Sequence, residues 1–226
     1  MTHRSRRALL TGLGAAATAP ARAEMRFQAE LDAFREADRR GPSPAGSLLF
    51  VGSSTIRLWP DLAATFAPTP VVQRGFGGAT LAEVLTHSRL LFAPHRPRTV
   101  IIYAGENDIA EGAAPEAVVA QYRALRRRVA HDAAWIFIDL KPSPARWSLW
   151  PAMALVNERI ASLPPPLAAQ ARVRPADWVL SADGTPDAAL FLSDRLHFNA
   201  AGYARLTRAV HGASSRICHA SVTDDC

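Results

Sequence analysis

Short apolar runs at residues 48–51, 71–73, 98–103 and 135–140, with a weaker one at 171–174, alternate along the chain with segments whose apolar residues recur at helical spacing. This alternation constrains the fold more than any other feature. A continuous apolar run of strand length is suited to burial on both faces, and helices must then cover both faces of the sheet. Strands separated by helices run parallel, joined by right-handed crossovers. The pattern predicts an α/β protein, a three-layer α/β/α sandwich around a parallel sheet of about five strands. No internal repeat, low-complexity stretch or interdomain linker interrupts it. One domain is expected over residues 46–212, after a helix and linker at 24–45 and before a tail at 213–226.

Local signals place the helices. Phe27, Leu31 and Phe34 share a helical stripe in a polar segment that ends at Gly41-Pro42. Residues 54–59 can begin a helix that Pro60 interrupts. Thr80 and Glu83 fit a capping box opening a helix to about Leu91. Pro115 and Glu116 mark a further start, with Val118, Tyr122, Leu125 and Val129 inward and Arg123 and Arg126 to Arg128 outward. A helix over 147–162 stops at Pro164, and Asn199 caps a last helix carrying Tyr203, Leu206 and Val210 on one side.

In a parallel sheet, sites form beyond the C-terminal strand ends. Ser54, Gly78 and Asn107 each follow a predicted strand, in Gly52-Ser53-Ser54, Gly75-Phe76-Gly77-Gly78 and the expected loop Ala104-Gly105-Glu106-Asn107-Asp108. Near the C-terminus, Asp194 and His197 lie three residues apart. A histidine oriented by a carboxylate can act as a general base, and a serine at a strand-to-helix turn can be its nucleophile. A glycine N–H and an asparagine amide are neutral donors suited to an oxyanion. Singly, Ser53 and Ser54 also read as a helix cap, the glycines as a turn and Asn107-Asp108 as an Asx turn. After the fourth strand, Arg146 can meet an anionic substrate group, and Trp147 and Trp150 can wall an apolar acyl group or a sugar face. The tryptophans read equally well as core residues of a helix.

These blocks resemble those of the SGNH hydrolases, the GDSL esterase/lipase family. Gly52-Ser53-Ser54 stands where that family has Gly-Asp-Ser, so Ser53 departs from the pattern. Arg74 to Thr80 corresponds to the second block, Gly105-Glu106-Asn107-Asp108 to the third, and Asp194-Arg195-Leu196-His197 to Asp-x-x-His. The resemblance covers about residues 46–210. It implies a flavodoxin-like sheet with Ser54 as nucleophile, His197 as base oriented by Asp194, and an oxyanion hole of the Ser54 N–H, Gly78 and Asn107. Gly77 is the alternative donor to Gly78. It also implies carboxylic ester hydrolysis without a cofactor. Short acyl or acetyl esters, free or on a glycan, are the expected substrates. The alternatives are a lysophospholipase or thioesterase for longer chains, or a non-catalytic glycan- or lipid-binding protein.

Composition narrows the partners. The net charge of +6 owes much to Arg4, Arg6, Arg7 and Arg22, so little is left to attract nucleic acid. Arg4, Arg6 and Arg7 precede a short, weakly apolar stretch and Ala21-Arg22-Ala23, which fits an export signal of twin-arginine type over residues 1–23. That stretch is too short to span a bilayer. A periplasmic or secreted protein with no integral membrane segment after signal removal is expected. Cys218 and Cys226 can pair in an oxidising compartment or remain free thiols. The histidines show no ligand spacing, so no metal is expected.

Overall fold

The computed structural model describes residues 26–129, 132–167 and 170–220. The elements alternate as the pattern requires. They are α1 (Gln28–Arg39), β1 (Leu48–Gly52), α2 (Ser54–Arg57), α3 (Leu62–Thr65), β2 (Val71–Gly75), α4 (Leu81–Thr86), α5 (Ser88–Phe92), β3 (Thr99–Tyr103) and α6 (Glu106–Ala110). There follow α7 (Pro115–Arg128), β4 (Ala134–Ile138), a 3-10 turn (Pro144–Leu149), α8 (Trp150–Ala161), β5 (Ala171–Val173), α9 (Ala176–Val179), a second 3-10 turn (Ala188–Leu190) and α10 (Ala200–Ala220).

The five strands form one sheet in the order β2-β1-β3-β4-β5, with every pairing parallel. Because successive strand residues face opposite sides, the sheet feeds two cores. Leu49, Val51, Val100, Ile102, Trp135 and Phe137 pack on Val84, Val118, Tyr122, Leu125 and Val156 of one helical layer. Leu48, Phe50, Ile101, Tyr103, Ile136 and Ile138 pack on Ile56, Tyr203, Leu206 and Val210 of the other. Burying each such side chain contributes about 1.5–3 kcal/mol. The chain order of the sheet reverses between β1 and β3, and that is where a cleft opens in such a fold.

Several boundaries differ from the sequence reading. The loop expected at Ala104 to Asp108 contains α6. Gly105 takes a positive φ of 118° and turns the chain, and two acids, Glu106 and Asp108, favour the positive end of the short helix that follows. The helix opened by Thr80 does have its capping box, but it breaks at His87 into α4 and α5. The segment from Pro144 begins as a 3-10 turn and becomes α-helical only at Trp150. Arg126 is not fully outward: it lies over the Trp135 ring at 4.3 Å and donates to the Pro166 carbonyl at 2.6 Å. The last helix runs on to Ala220, through most of the expected tail. The export signal at 1–23, and Cys226 of the Cys218–Cys226 pair, lie outside the described residues.

Candidate active site

Ser54 opens α2 directly beyond β1. The chain reaches it through Gly52, whose φ is 147°, and a Cβ there would stand 1.9 Å from the Tyr103 carbonyl oxygen. Only glycine lets β1 pass so close to β3 while turning into the helix. Ser53 faces inward. It is 2% exposed and its N–H donates to the Tyr103 carbonyl at 2.9 Å. Ser54 faces the cleft instead, which places the second serine of the pair, and not the first, beside the histidine.

His197 comes from the other end of the chain. Its loop is braced by hydrogen bonds from Leu192 N–H to the His197 carbonyl and from Arg195 N–H to the Leu192 carbonyl, at 2.8 and 2.9 Å. Arg195 takes a left-handed φ of 58° at the turn. Asn199 caps α10 through Ala201 and Gly202 N–H, while its amide donates to the Ala189 and Phe191 carbonyls. Tyr203 donates to the Thr55 carbonyl at 3.0 Å and so ties α10 to the Ser54 turn.

These supports bring three side chains into line. Asp194 Oδ2 lies 2.6 Å from His197 Nδ1, and His197 Nε2 lies 2.9 Å from Ser54 Oγ. Burial works to raise the Asp194 carboxyl. The His197 ring and the backbone N–H groups of His197 and Leu196 outweigh it and hold the group at about 2. An ionised Asp194 can only accept, so Nδ1 carries the proton and Nε2 is left to accept from the serine.

Asn107, on α6, closes the far side. Its Nδ2 donates to the Ala79 carbonyl at 2.9 Å, and its Oδ1 accepts from Arg146 Nη2 at 3.0 Å. Asp108 accepts from Leu81 N–H at 2.7 Å. The Gly78 loop and the first residue of α4 are therefore each bonded to α6. Gly78 has a φ of 75°, and its carbonyl accepts from Arg26 at 2.9 Å. Ser54, Gly77, Gly78, Asn107, Arg146 and His197 all line one cleft of about 450 Å³.

The sequence-derived substrate residues separate here. Arg146 lines the cleft, but its guanidinium is already engaged by Asn107 and by Glu106 Oε1 at 3.2 Å. Trp147 and Trp150 stack on each other, with ring centroids 6.5 Å apart, and do not line the cleft. Trp147 is 37% exposed, whereas Trp150 packs partly on the core. The core reading thus holds for Trp150 more than for Trp147.

Sequence reasoning missed the ionic cluster behind Asn107. Glu106 and Lys141 are 3% and 1% exposed, and their side chains meet at 2.7 Å. The Tyr103 hydroxyl also donates to Glu106, and Lys141 reaches that hydroxyl at 3.2 Å. Burial pushes the Glu106 carboxyl up, but Lys141 and Arg146 together hold it below the usual range. One signal was available: Lys141 is the only lysine in a chain that otherwise uses arginine. Among the described residues no group of histidine, cysteine and acidic side chains is arranged to hold a metal.

The sequence matches the model of the GDSL-like lipase/acylhydrolase family over residues 44–205. Among curated proteins, none matches. Solved structures share the fold. A Streptococcus pneumonia protein provisionally assigned as a platelet activating factor superposes with a TM-score of 0.72 at 17% identity, covering 83% of this chain and 92% of its own. A GDSL-like lipase from Bacteroides thetaiotaomicron gives 0.70 at 16%, covering 83% and 98%. The Clostridium thermocellum family 3 carbohydrate esterase gives 0.59 at 14%, covering 80% and 100%.

Proposed function

Because the chain belongs to the GDSL-like lipase/acylhydrolase family, we propose that it is a serine esterase that hydrolyses carboxylic esters through an acyl-Ser54 intermediate. The observation that carries this reading is the Asp194–His197–Ser54 line, with contacts of 2.6 and 2.9 Å, opening on the cleft that Asn107 also lines.

Ser54 Oγ attacks the ester carbonyl carbon while its proton passes to His197 Nε2. The carbonyl oxygen gains the charge and meets the Ser54 and Gly78 N–H groups and the free N–H of the Asn107 amide. The carbon–oxygen bond to the alcohol then breaks, and His197 returns the proton to the leaving oxygen. In the second half, His197 takes a proton from water, the hydroxide oxygen attacks the acyl carbon, and the carboxylic acid leaves Ser54 reprotonated. Asp194 keeps the imidazole in the required tautomer and stabilises its charged form.

The cleft supports a short acyl group and a polar alcohol. Among the described residues, and apart from the glycines, Ala110 and Leu196 give it apolar walls, whereas Arg26, Glu30, Arg57 and Glu111 give it charge. A long acyl chain would find little surface to bury against. The exposed Trp147 ring, next in sequence to the cleft residue Arg146, favours the longer-chain reading instead. Export remains part of the proposal and rests on the N-terminal sequence alone. The test is hydrolysis of a p-nitrophenyl ester series by protein beginning at Glu24. Turnover should be highest for acetate and butyrate and fall steeply with longer chains. A maximum at long chains would favour the lipase-like reading, and no turnover on any member by folded protein would count against ester hydrolysis.

A further inference from the structure

We propose that Arg146 is a positioning residue for the reaction, holding and polarising Asn107 from behind rather than binding substrate. The inference rests on the reading of Ser54 as nucleophile and Asn107 as oxyanion donor. A side-chain amide is nearly symmetric in shape, and a flip would present its oxygen to an oxyanion and repel it. Two contacts set the observed orientation: Nδ2 donates to the Ala79 carbonyl at 2.9 Å, and Oδ1 accepts from Arg146 at 3.0 Å. The Arg146 contact is charge-assisted, so it fixes the amide and also draws electron density toward Oδ1. The remaining Nδ2–H becomes a stronger donor toward the cleft.

Arg146 is in turn held in place. Its other terminal nitrogen meets Glu106 Oε1 at 3.2 Å, while Lys141 takes Glu106 Oε2 at 2.7 Å. Glu106 and Asn107 are neighbours on α6, so one guanidinium spans adjacent residues of the helix it serves. The fork shape of arginine suits this bridge, since one terminal nitrogen meets each residue. The backbone adds a further tie, since Ala145 N–H donates to the Arg195 carbonyl at 3.0 Å. The segment that carries Arg146 is thereby docked on the loop that carries Asp194 and His197. One connected set of contacts aligns the oxyanion donor with the base.

The test is a double-mutant cycle read by phosphonylation of Ser54 with a fluorophosphonate. In that step the serine oxygen bonds phosphorus, fluoride leaves, the serine proton goes to His197, and the phosphoryl oxygen takes the oxyanion position. Asn107→Ala should slow labelling about 100-fold, as loss of one oxyanion donor does. Arg146→Met should slow it by roughly 10-fold, and the double variant should be no slower than Asn107→Ala alone, because Arg146 acts through Asn107. On neutral p-nitrophenyl acetate, Arg146→Met should lower kcat and leave KM within about twofold, the mark of an interaction made in the transition state. Arg146→Lys should restore only part of the rate. Arg146→Gln enters the same cycle should the methionine variant not fold.

A full Arg146→Met effect persisting in the Asn107→Ala background would overturn the proposal. So would a raised KM confined to an anionic ester with kcat untouched. Either result leaves the serine mechanism standing. Failure of wild-type Ser54 to label, or wild-type labelling of Asn107→Ala, would instead overturn the underlying reading and this proposal with it.

Discussion

At the scale of the residue, position within a short motif decides chemistry. Ser53 and Ser54 are identical in kind and adjacent, but one is buried with its N–H on the Tyr103 carbonyl and the other meets His197. Ser54→Ala is expected to cut ester turnover by about 10³-fold or more, while Ser53→Ala keeps it within a few fold, as steady-state kinetics would show. The Ser54, Gly78 and Asn107 positions were legible because each follows an apolar strand run, and Asp194 and His197 because they stand three residues apart just before a helix cap. The role of Arg146 was not. Side-chain partnership between a loop after β4 and a helix after β3 has no sequence spacing to betray it. Asp194 supports a pH prediction. Its carboxyl is lowered from 3.8 to about 2, so its stabilising contribution is complete above the ordinary value and lost as pH falls through about 2. The stability difference between wild type and Asp194→Asn should therefore shrink as pH falls from about 4 toward 2, as denaturant unfolding at stepped pH would reveal.

At the scale of the element, the site depends on strands that end at the same level and helices that start at once. Gly52 is the tightest such joint, with the Tyr103 carbonyl oxygen 1.9 Å from a would-be Cβ. Gly52→Ala should destabilise the protein by about 3 kcal/mol or more, measured by denaturant unfolding, since neither backbone can give way. Capping signals made α4 and α7 readable, and the Thr80–Glu83 box forms as expected. The helix α6 was not readable, because a five-residue turn has no period and Gly105 alone announces it. Its first residue, Glu106, anchors the buried cluster. Lys141→Met should cost about 3 kcal/mol in the same measurement, because a buried carboxylate loses a cation that faces it.

At the scale of the whole molecule, a single topology gathers residues from Ser54 to His197 into one cleft. The sheet order turns back between β1 and β3, and Ser54 and Asn107 follow those two strands. Apolar runs made this architecture legible, since a strand buried on both faces admits few other arrangements. The extent of α10 was less so: a helix whose one face packs on the sheet can continue past the sheet edge, and it reaches Ala220. The substrate remains a matter of cleft shape and charge, which no strand pattern encodes. Everything proposed for this cleft depends on Ser54 being the nucleophile that His197 activates. The most direct test is peptide mapping by mass spectrometry after fluorophosphonate treatment, in wild type and in His197→Ala. One adduct is expected, on Ser54, whose formation slows by about 10³-fold or more without the histidine. An adduct on Ser53, or equal labelling of Ser54 in both proteins, would contradict it.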